Sequence, residues 1–297
     1  MILFDAHFHA DGISPSFEGA ARCLPSVYEG ENFCCPGICC SAFERDWPQV
    51  LAASSGNSKN SIIPCLGIHP WHAYEFSDEV FERLRGKLIE LKKDCFHSGA
   101  FIGEAGLDFS PGIFNAAMEF GKTKKGQTKN KKEIGSSAYG RQTSREEIKK
   151  QQERVFAAQL ALSAELGIAA VIHCVRAWGK MLEMIKKYRP PAFMIHAYKG
   201  SPEMTKEFAA LNGYFSFGPG LACPHEIKSR AALLSAPHDR ILLESEGGNI
   251  GDALNAAADI LKIPQEKTAE TANRNAAEFL SDSGIKNCPG LFEMLCP

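Results

Sequence analysis

The sequence predicts an α/β protein folded as a closed (β/α)8 TIM barrel in a single domain, and three observations carry that prediction. Eight short apolar runs recur along the chain, amphipathic segments with helix-start signals separate them, and residues suited to metal chemistry fall at the ends of the runs.

The first run, 2–9, ends in Asp5-Ala6-His7-Phe8-His9. Strict alternation along a strand puts Asp5, His7 and His9 on one face and Phe4, Ala6 and Phe8 on the other. Two imidazoles at one strand end make a metal-binding edge, since neutral imidazole ligates zinc, nickel, iron and related ions. Two hydrogen-bonded strand histidines would read the same way, so the pair alone decides nothing.

Further strands are expected at 33–40, 62–68, 100–104, 169–173, 192–196, 214–217 and 240–246. Helical periodicity with capping signals marks 77–93, 144–166, 177–187 and 201–211, and helices at 252–261 and 264–280 complete the chain. Ser144 followed by Glu147 is a capping-box pair, after which Ile148, Val155, Ala158, Leu162 and Leu166 keep one apolar face. Pro202 sits at a first helical position after Ser201.

Strands alternating with helices pair in parallel through right-handed crossovers, and eight is the number that closes a barrel. A doubly wound open sheet is the structural alternative, but no GxGxxG follows the first strand and no P-loop is present. No linker composition divides the chain, so 1–297 is read as one domain.

One stretch breaks the rhythm. About 65 residues separate the fourth and fifth runs, and the excess lies in 110–143. It carries Lys122, Lys124, Lys125, Lys129, Lys131 and Lys132 with no carboxylate between the first and the last of them. An inserted basic loop after strand four is expected, either a solvated excursion or, because it leaves the active face of a barrel, a contact for a polyanion.

With 44% hydrophobic residues, 23% charged residues and a formal charge of -2, the composition excludes a polycationic coat for nucleic acid, so any polyanion binding is local. No apolar run approaches the roughly 18 residues of a membrane span. The first residues, Met1-Ile2-Leu3-Phe4-Asp5, lack the regions of a signal peptide, so the cytoplasm is the expected address, with no membrane and no obligate protein partner. Eleven cysteines, four of them in Cys34-Cys35-Pro36-Gly37-Ile38-Cys39-Cys40, raise the question of disulfides or a metal cluster. The apolar setting and the lack of duplicated CxxC pairs favour reduced structural thiols.

Ligand-type residues collect at the strand ends. His7 and His9 close strand one, His69 follows strand three, Glu104 closes strand four, His173 strand five, His196 strand six and Glu246 strand eight. In a barrel these ends converge on one mouth. Four histidines, His7, His9, His173 and His196, with Glu104 and Glu246, suffice for two divalent ions. Glu104 is placed to bridge them, and zinc, manganese, magnesium and nickel all remain possible occupants.

The pieces DAHFHAD from Asp5, GIHPWHA from Gly67, FIGEAGLDF from Phe101, VIHCVRAWGK from Val171, MIHAYKGS from Met194 and ILLESEGG from Ile241 occur in that order. Together they resemble the TatD-like metal-dependent deoxyribonucleases of the amidohydrolase superfamily, over nearly the whole chain. The resemblance implies that His7, His9 and Glu104 hold one ion, and Glu104, His173 and His196 the other. It also implies that the acidic residue of the last strand binds metal and takes the proton of the attacking water, and that His69 lies near the substrate phosphate. For His72, substrate contact and a surface position are both open.

Departures from the family pattern accompany the matches. The Glu-Thr-Asp usual at strand eight reads Glu244-Ser245-Glu246, and the added methylene moves the final carboxylate outward by about 1.5 Å. Glu244 is read as a supporting residue one layer deeper. Lys199 stands where the family usually has serine, as a phosphate contact or a solvent-facing loop residue. Arg176 follows His173 by three residues where two are common, which leaves its aim open. His97, His225 and His238 are read as surface or loop residues.

The reading is a metal-dependent hydrolase of phosphodiester bonds with a metal-activated water, Glu246 as general base, and DNA as the substrate that the resemblance implies. An ester, a lactone or an aminoacyl-tRNA is the alternative substrate on the same scaffold. A weakly active nucleic-acid-binding relative using Lys122 to Lys132 is the reading from a different class.

Overall fold

In the computed structural model, residues 2–10, 36–54, 62–93, 99–113, 144–285 and 289–295 are described. Cys34, Cys35, His97, the lysines from Lys122 to Lys132 and most of the expected 110–143 insertion lie outside them.

Eight strands form one sheet in chain order, each parallel to the next: β1 (Asp5–Phe8), β2 (Gly37–Cys40), β3 (Ile62–Leu66), β4 (Phe101–Asp108), β5 (Ala170–Val175), β6 (Phe193–Ile195), β7 (Gly213–Phe217) and β8 (Ile241–Leu243). The ring closes just beyond β8. Glu246 donates its backbone N–H to His7 O at 3.2 Å, and Ser245 donates its own to Asp5 Oδ1 at 2.9 Å. The expected TIM barrel is what these residues build.

The intervening helices are α1 (Trp47–Ser54), α2 (Asp78–Lys93), α3 (Arg145–Leu166), α4 (Trp178–Tyr188), α5 (Pro202–Ala209), α6 (Ile227–Ser235), α7 (Ile250–Leu261), α8 (Gln265–Asp282) and α9 (Pro289–Leu295). Local chemistry sets their limits. Ser144 and Glu147 form the capping box of α3, which ends at Gly167 in the left-handed conformation, and Ser201 caps α5 ahead of Pro202. Helices α1, α6 and α9 are additions to the sequence reading; α1 and α6 are only 8 and 9 residues long, too short to establish a clear period.

Two apolar layers follow from strand alternation. Leu66, Ile102, Ile172, Ile195, Phe215 and Leu243 join the outer layer with residues of the surrounding helices, among them Leu84 of α2, Phe156 of α3, Met181 of α4, Phe208 of α5 and Leu254 of α7. Phe4, Ile38, Ile63, Phe101, Val171, Met194 and Leu242 fill the barrel, which Phe279 and Leu280 of α8 close from below. Asn273 of α8 accepts from Phe4 N and donates to Ile2 O, tying that floor to the first strand.

Strict alternation fails at two places that matter. Ala6 packs in the inner layer but Phe8 joins the outer one, and the β1–β2 register shifts between Asp5 and Phe8. In β4, Phe101 is inner while Ile102, Ala105 and Leu107 are outer, with a register shift between Ile102 and Ala105. Each irregularity adds a residue and reverses the faces beyond it. His7 with His9, and Glu104, are thereby turned toward the barrel axis.

Candidate metal centre

Glu104 lies within β4 and not at its end, because the strand continues to Asp108 in register with β5, Gly106 beside His173 and Asp108 beside Val175. Its backbone N–H is held by Ser41 O at 3.1 Å, and its carboxylate is buried at the centre of five histidines.

The two carboxylate oxygens serve different neighbours. Glu104 Oε2 lies 3.1 Å from His9 Nε2 and 3.8 Å from His7 Nε2. Glu104 Oε1 lies 2.8 Å from His196 Nε2, 3.9 Å from His173 Nδ1 and 3.9 Å from His69 Nε2. Within each pair the imidazoles also meet: His7 Nε2 and His9 Nε2 are 3.3 Å apart, His173 Nδ1 and His196 Nε2 3.0 Å. Converging imidazole nitrogens against a buried carboxylate are a donor set for a divalent cation. Ligand atoms of His7, His9 and Glu104, of His69, Glu104 and His173, and of His7, His196 and Glu246 each gather within 4.8 Å.

The outer nitrogens constrain the inner ones. His9 Nδ1 faces Cys40 O at 2.9 Å, so in a neutral ring it carries the proton and leaves Nε2 free to ligate. His69 is the reverse case. Its Nδ1 accepts the Trp71 N–H at 3.1 Å, which puts the proton of the neutral ring on Nε2 and makes His69 a donor toward the cavity.

Electrostatics agree with a site built around positive charge. The charges of His196 and His7, with hydrogen bonds from His196 and His9, outweigh burial and hold the Glu104 carboxyl well below its ordinary range. Burial, with His196 nearby, pushes His7 down to about 3, and burial and His173 push His69 well down. For His9 and His196 burial works against charge, but Glu104 outweighs it at both, aided by Glu246, so both are raised. Glu104 and Glu246 thus favour positive charge at His9 and His196.

Strand β8 ends at Leu243, three residues short of Glu246, correcting the expected 240–246 run. Chain closure on β1 pulls the segment inward, and Glu246 takes a left-handed φ of 47°. Its Oε2 lies 3.4 Å from His196 Nδ1 while 42% of its side chain is exposed. Glu244 is wholly buried, accepts from Ala197 N at 2.9 Å and from Ser216 Oγ, and is pushed well up by burial and the charge of Glu246.

The remaining predicted residues sit apart from this carboxylate. His72 pairs with Glu75 at 2.7 Å and Arg45 at 3.1 Å, its ring tilted over Phe43. Lys199 is paired with Glu226 at 2.8 Å. Arg176 is exposed, in a left-handed backbone with φ of 56°. Asp5, Trp71 and Asp108 were not singled out in the sequence. Asp108 had a signal, since it lies four residues from Glu104 and shares its face once the strand is known to extend that far.

A family model described as TatD related DNase matches residues 4–281. The chain belongs to the TatD family. It is 32% identical over 185 residues to a protein of Pantoea ananatis named 3′-5′ ssDNA/RNA exonuclease TatD, a match covering 61% of this chain and 55% of that one. The chain thus spans about half the length of the curated relatives it matches. Its fold resembles that of YJJV, a TatD homologue from Escherichia coli K12, with a TM-score of 0.68 at 18% identity over 93% of this chain and 97% of that one. A TatD family hydrolase from Entamoeba histolytica superposes with a TM-score of 0.59 at 13% identity, over 82% and 83%. Within this TatD-family chain, Glu246 falls on the open side of the histidine cluster, with 42% of its side chain exposed.

Proposed function

We propose that this chain is a metal-dependent hydrolase that cleaves phosphodiester bonds of DNA, with water as nucleophile. The division of the Glu104 oxygens between two histidine pairs carries the reading, because it is the arrangement a carboxylate bridging two divalent ions requires. His7, His9 and Glu104 would hold one ion, and Glu104, His173 and His196 the other. Such ions lower the pKa of water and offset charge on phosphate oxygens.

The chain's own groups supply the rest. Glu246, held low by the charge of His196 against burial, is ionised at neutral pH and accepts the water proton from the exposed side of the cluster. His69, its Nε2–H directed inward, donates to a phosphate oxygen. His72, Arg176 and Lys199 stand further out, as contacts for flanking phosphates; Lys199 would exchange Glu226 for one. Residues 1–297 are read as one catalytic unit. A reducing compartment such as the cytoplasm suits the buried thiols of Cys40, Cys65 and Cys174.

Family membership and the name of the Pantoea relative support nucleic acid as the substrate. The test compares single-stranded DNA, RNA and an ester panel before and after chelation, with elemental analysis of the protein. Two equivalents of metal and chelator-sensitive DNA cleavage are expected. Full DNA cleavage by metal-free protein overturns the mechanism, and turnover of esters alone overturns the substrate.

A further inference from the structure

We infer that Asp108 is a positioning residue for two working histidines at once, holding His173 directly and His69 through Trp71. The inference rests on the proposed metal site. It adds a residue that neither touches the ions nor meets the substrate.

Asp108 ends β4 and is buried, with its backbone N–H fixed by Gln152 Oε1 of α3 at 2.9 Å. Both carboxylate oxygens are engaged. Oδ1 accepts the Ser110 N–H at 2.8 Å, and Oδ2 accepts the Trp71 indole N–H at 2.8 Å. Oδ2 also faces His173 Nε2 at 3.5 Å. Gly106 makes this approach possible, since a Cβ there would sit 1.9 Å from His173 O and force β4 and β5 apart.

His173 turns Nδ1 toward His196 and Glu104, and its Nε2 is buried without any hydrogen bond of ordinary geometry. An imidazole that ligates through Nδ1 keeps its proton on Nε2. Asp108 Oδ2 lies 3.5 Å from that nitrogen, placed as the carboxylate partner that fixes the tautomer and ring plane of a ligating histidine.

Trp71 extends the same control to His69. Its indole is held by Asp108, its backbone N–H fixes His69 Nδ1, and its ring meets the imidazole edge-on at 4.9 Å. Loosening the indole therefore loosens the donor as well. One carboxylate coordinates the metal-facing nitrogen of His173 with the substrate-facing N–H of His69.

The test is calorimetric titration of manganese alone into chelator-stripped full-length protein, wild type against Asp108→Ala and Asp108→Asn. In the wild type two sites are expected. Asp108→Ala should weaken one of them by about 10–100-fold, the usual effect of removing a ligand's outer partner, and leave the His7, His9 and Glu104 site within threefold. Asp108→Asn, which keeps an acceptor oxygen, should fall between the two, and it decides the matter if circular dichroism finds Asp108→Ala unfolded. Trp71→Phe should keep both affinities and lower kcat more than it raises KM. Wild-type affinities in both Asp108 variants, or equal weakening of both sites in a folded variant, would overturn the inference while leaving the metal site standing. A wild type that binds no manganese would instead overturn the reading beneath it.

Discussion

Nδ1 of His173 lies 3.0 Å from Nε2 of His196, so a ring on β5 and a ring just past the end of β6 aim different nitrogens at one point. Neutral imidazoles this close need a shared proton or a shared cation between them. The neighbouring Glu104 oxygen, 2.8 Å from the same His196 nitrogen, favours positive charge there. Replacing His196 by asparagine should therefore remove one ion and spare the His7, His9 and Glu104 set. The expected loss for that ion exceeds the 10–100-fold typical of an outer partner, read by elemental analysis after dialysis against micromolar metal. Retention of wild-type metal content would sink the assignment.

Glu246 stands where the family resemblance leads one to expect aspartate, and its exposed position gives the longer side chain a physical reading. The side chain is 42% exposed and leaves a backbone with a φ of 47° whose N–H is bonded to His7 O, so a carboxylate one methylene longer has room there. Glu246→Ala should lower kcat on single-stranded DNA by about 10²–10⁴-fold, the range of a general base. Glu246→Asp should retain part of the activity. An alanine variant within threefold of wild type would assign proton transfer elsewhere.

Much of this was legible where the controlling physics is local. The capping box at Ser144 and Glu147, Pro202 behind Ser201 and the apolar strand runs all announce their elements within a few residues. Six of the ligand-type residues were recognisable because barrel topology gathers strand ends. Less legible was anything that depends on contact between strands. The register shifts in β1 and β4 decide that His7, His9 and Glu104 face inward, and no local pattern announces them. Asp108 and Trp71 acquire meaning only when β4, β5 and the β3 loop come together. Glu246 was placed in β8, although closure on His7 ends that strand at Leu243.

The close approach of β4 to β5 should be measurable as stability. Gly106 has a φ of 155°, and a Cβ there would meet His173 O at 1.9 Å and His173 C at 2.8 Å, both of them backbone atoms that cannot rotate away. Gly106→Ala should cost about 3 kcal/mol, at the upper end of ordinary overpacking penalties because the backbone conformation is strained as well. Urea unfolding in chelator isolates this cost from any metal effect. A change under about 0.5 kcal/mol, the level of a neutral surface substitution, would mean that the two strands separate without penalty.

Acid should destabilise the metal-free protein through His7. Burial, with His196 second, lowers its folded pKa to about 3 from an ordinary value of 6.5. Between those values the unfolded chain binds a proton that the folded one refuses, so stability is present above 6.5 and is lost as the pH falls toward 3. His9 and His196, both raised, act in the opposite sense: they favour the fold below 6.5 and lose that contribution as the pH rises through their folded values. Comparison of wild type with His7→Asn separates His7 from them, because asparagine does not titrate. Urea midpoints measured in chelator at pH 7, 6, 5 and 4 should fall more steeply in the wild type than in the variant. Parallel curves for the two proteins would show that His7 does not stay neutral in the fold.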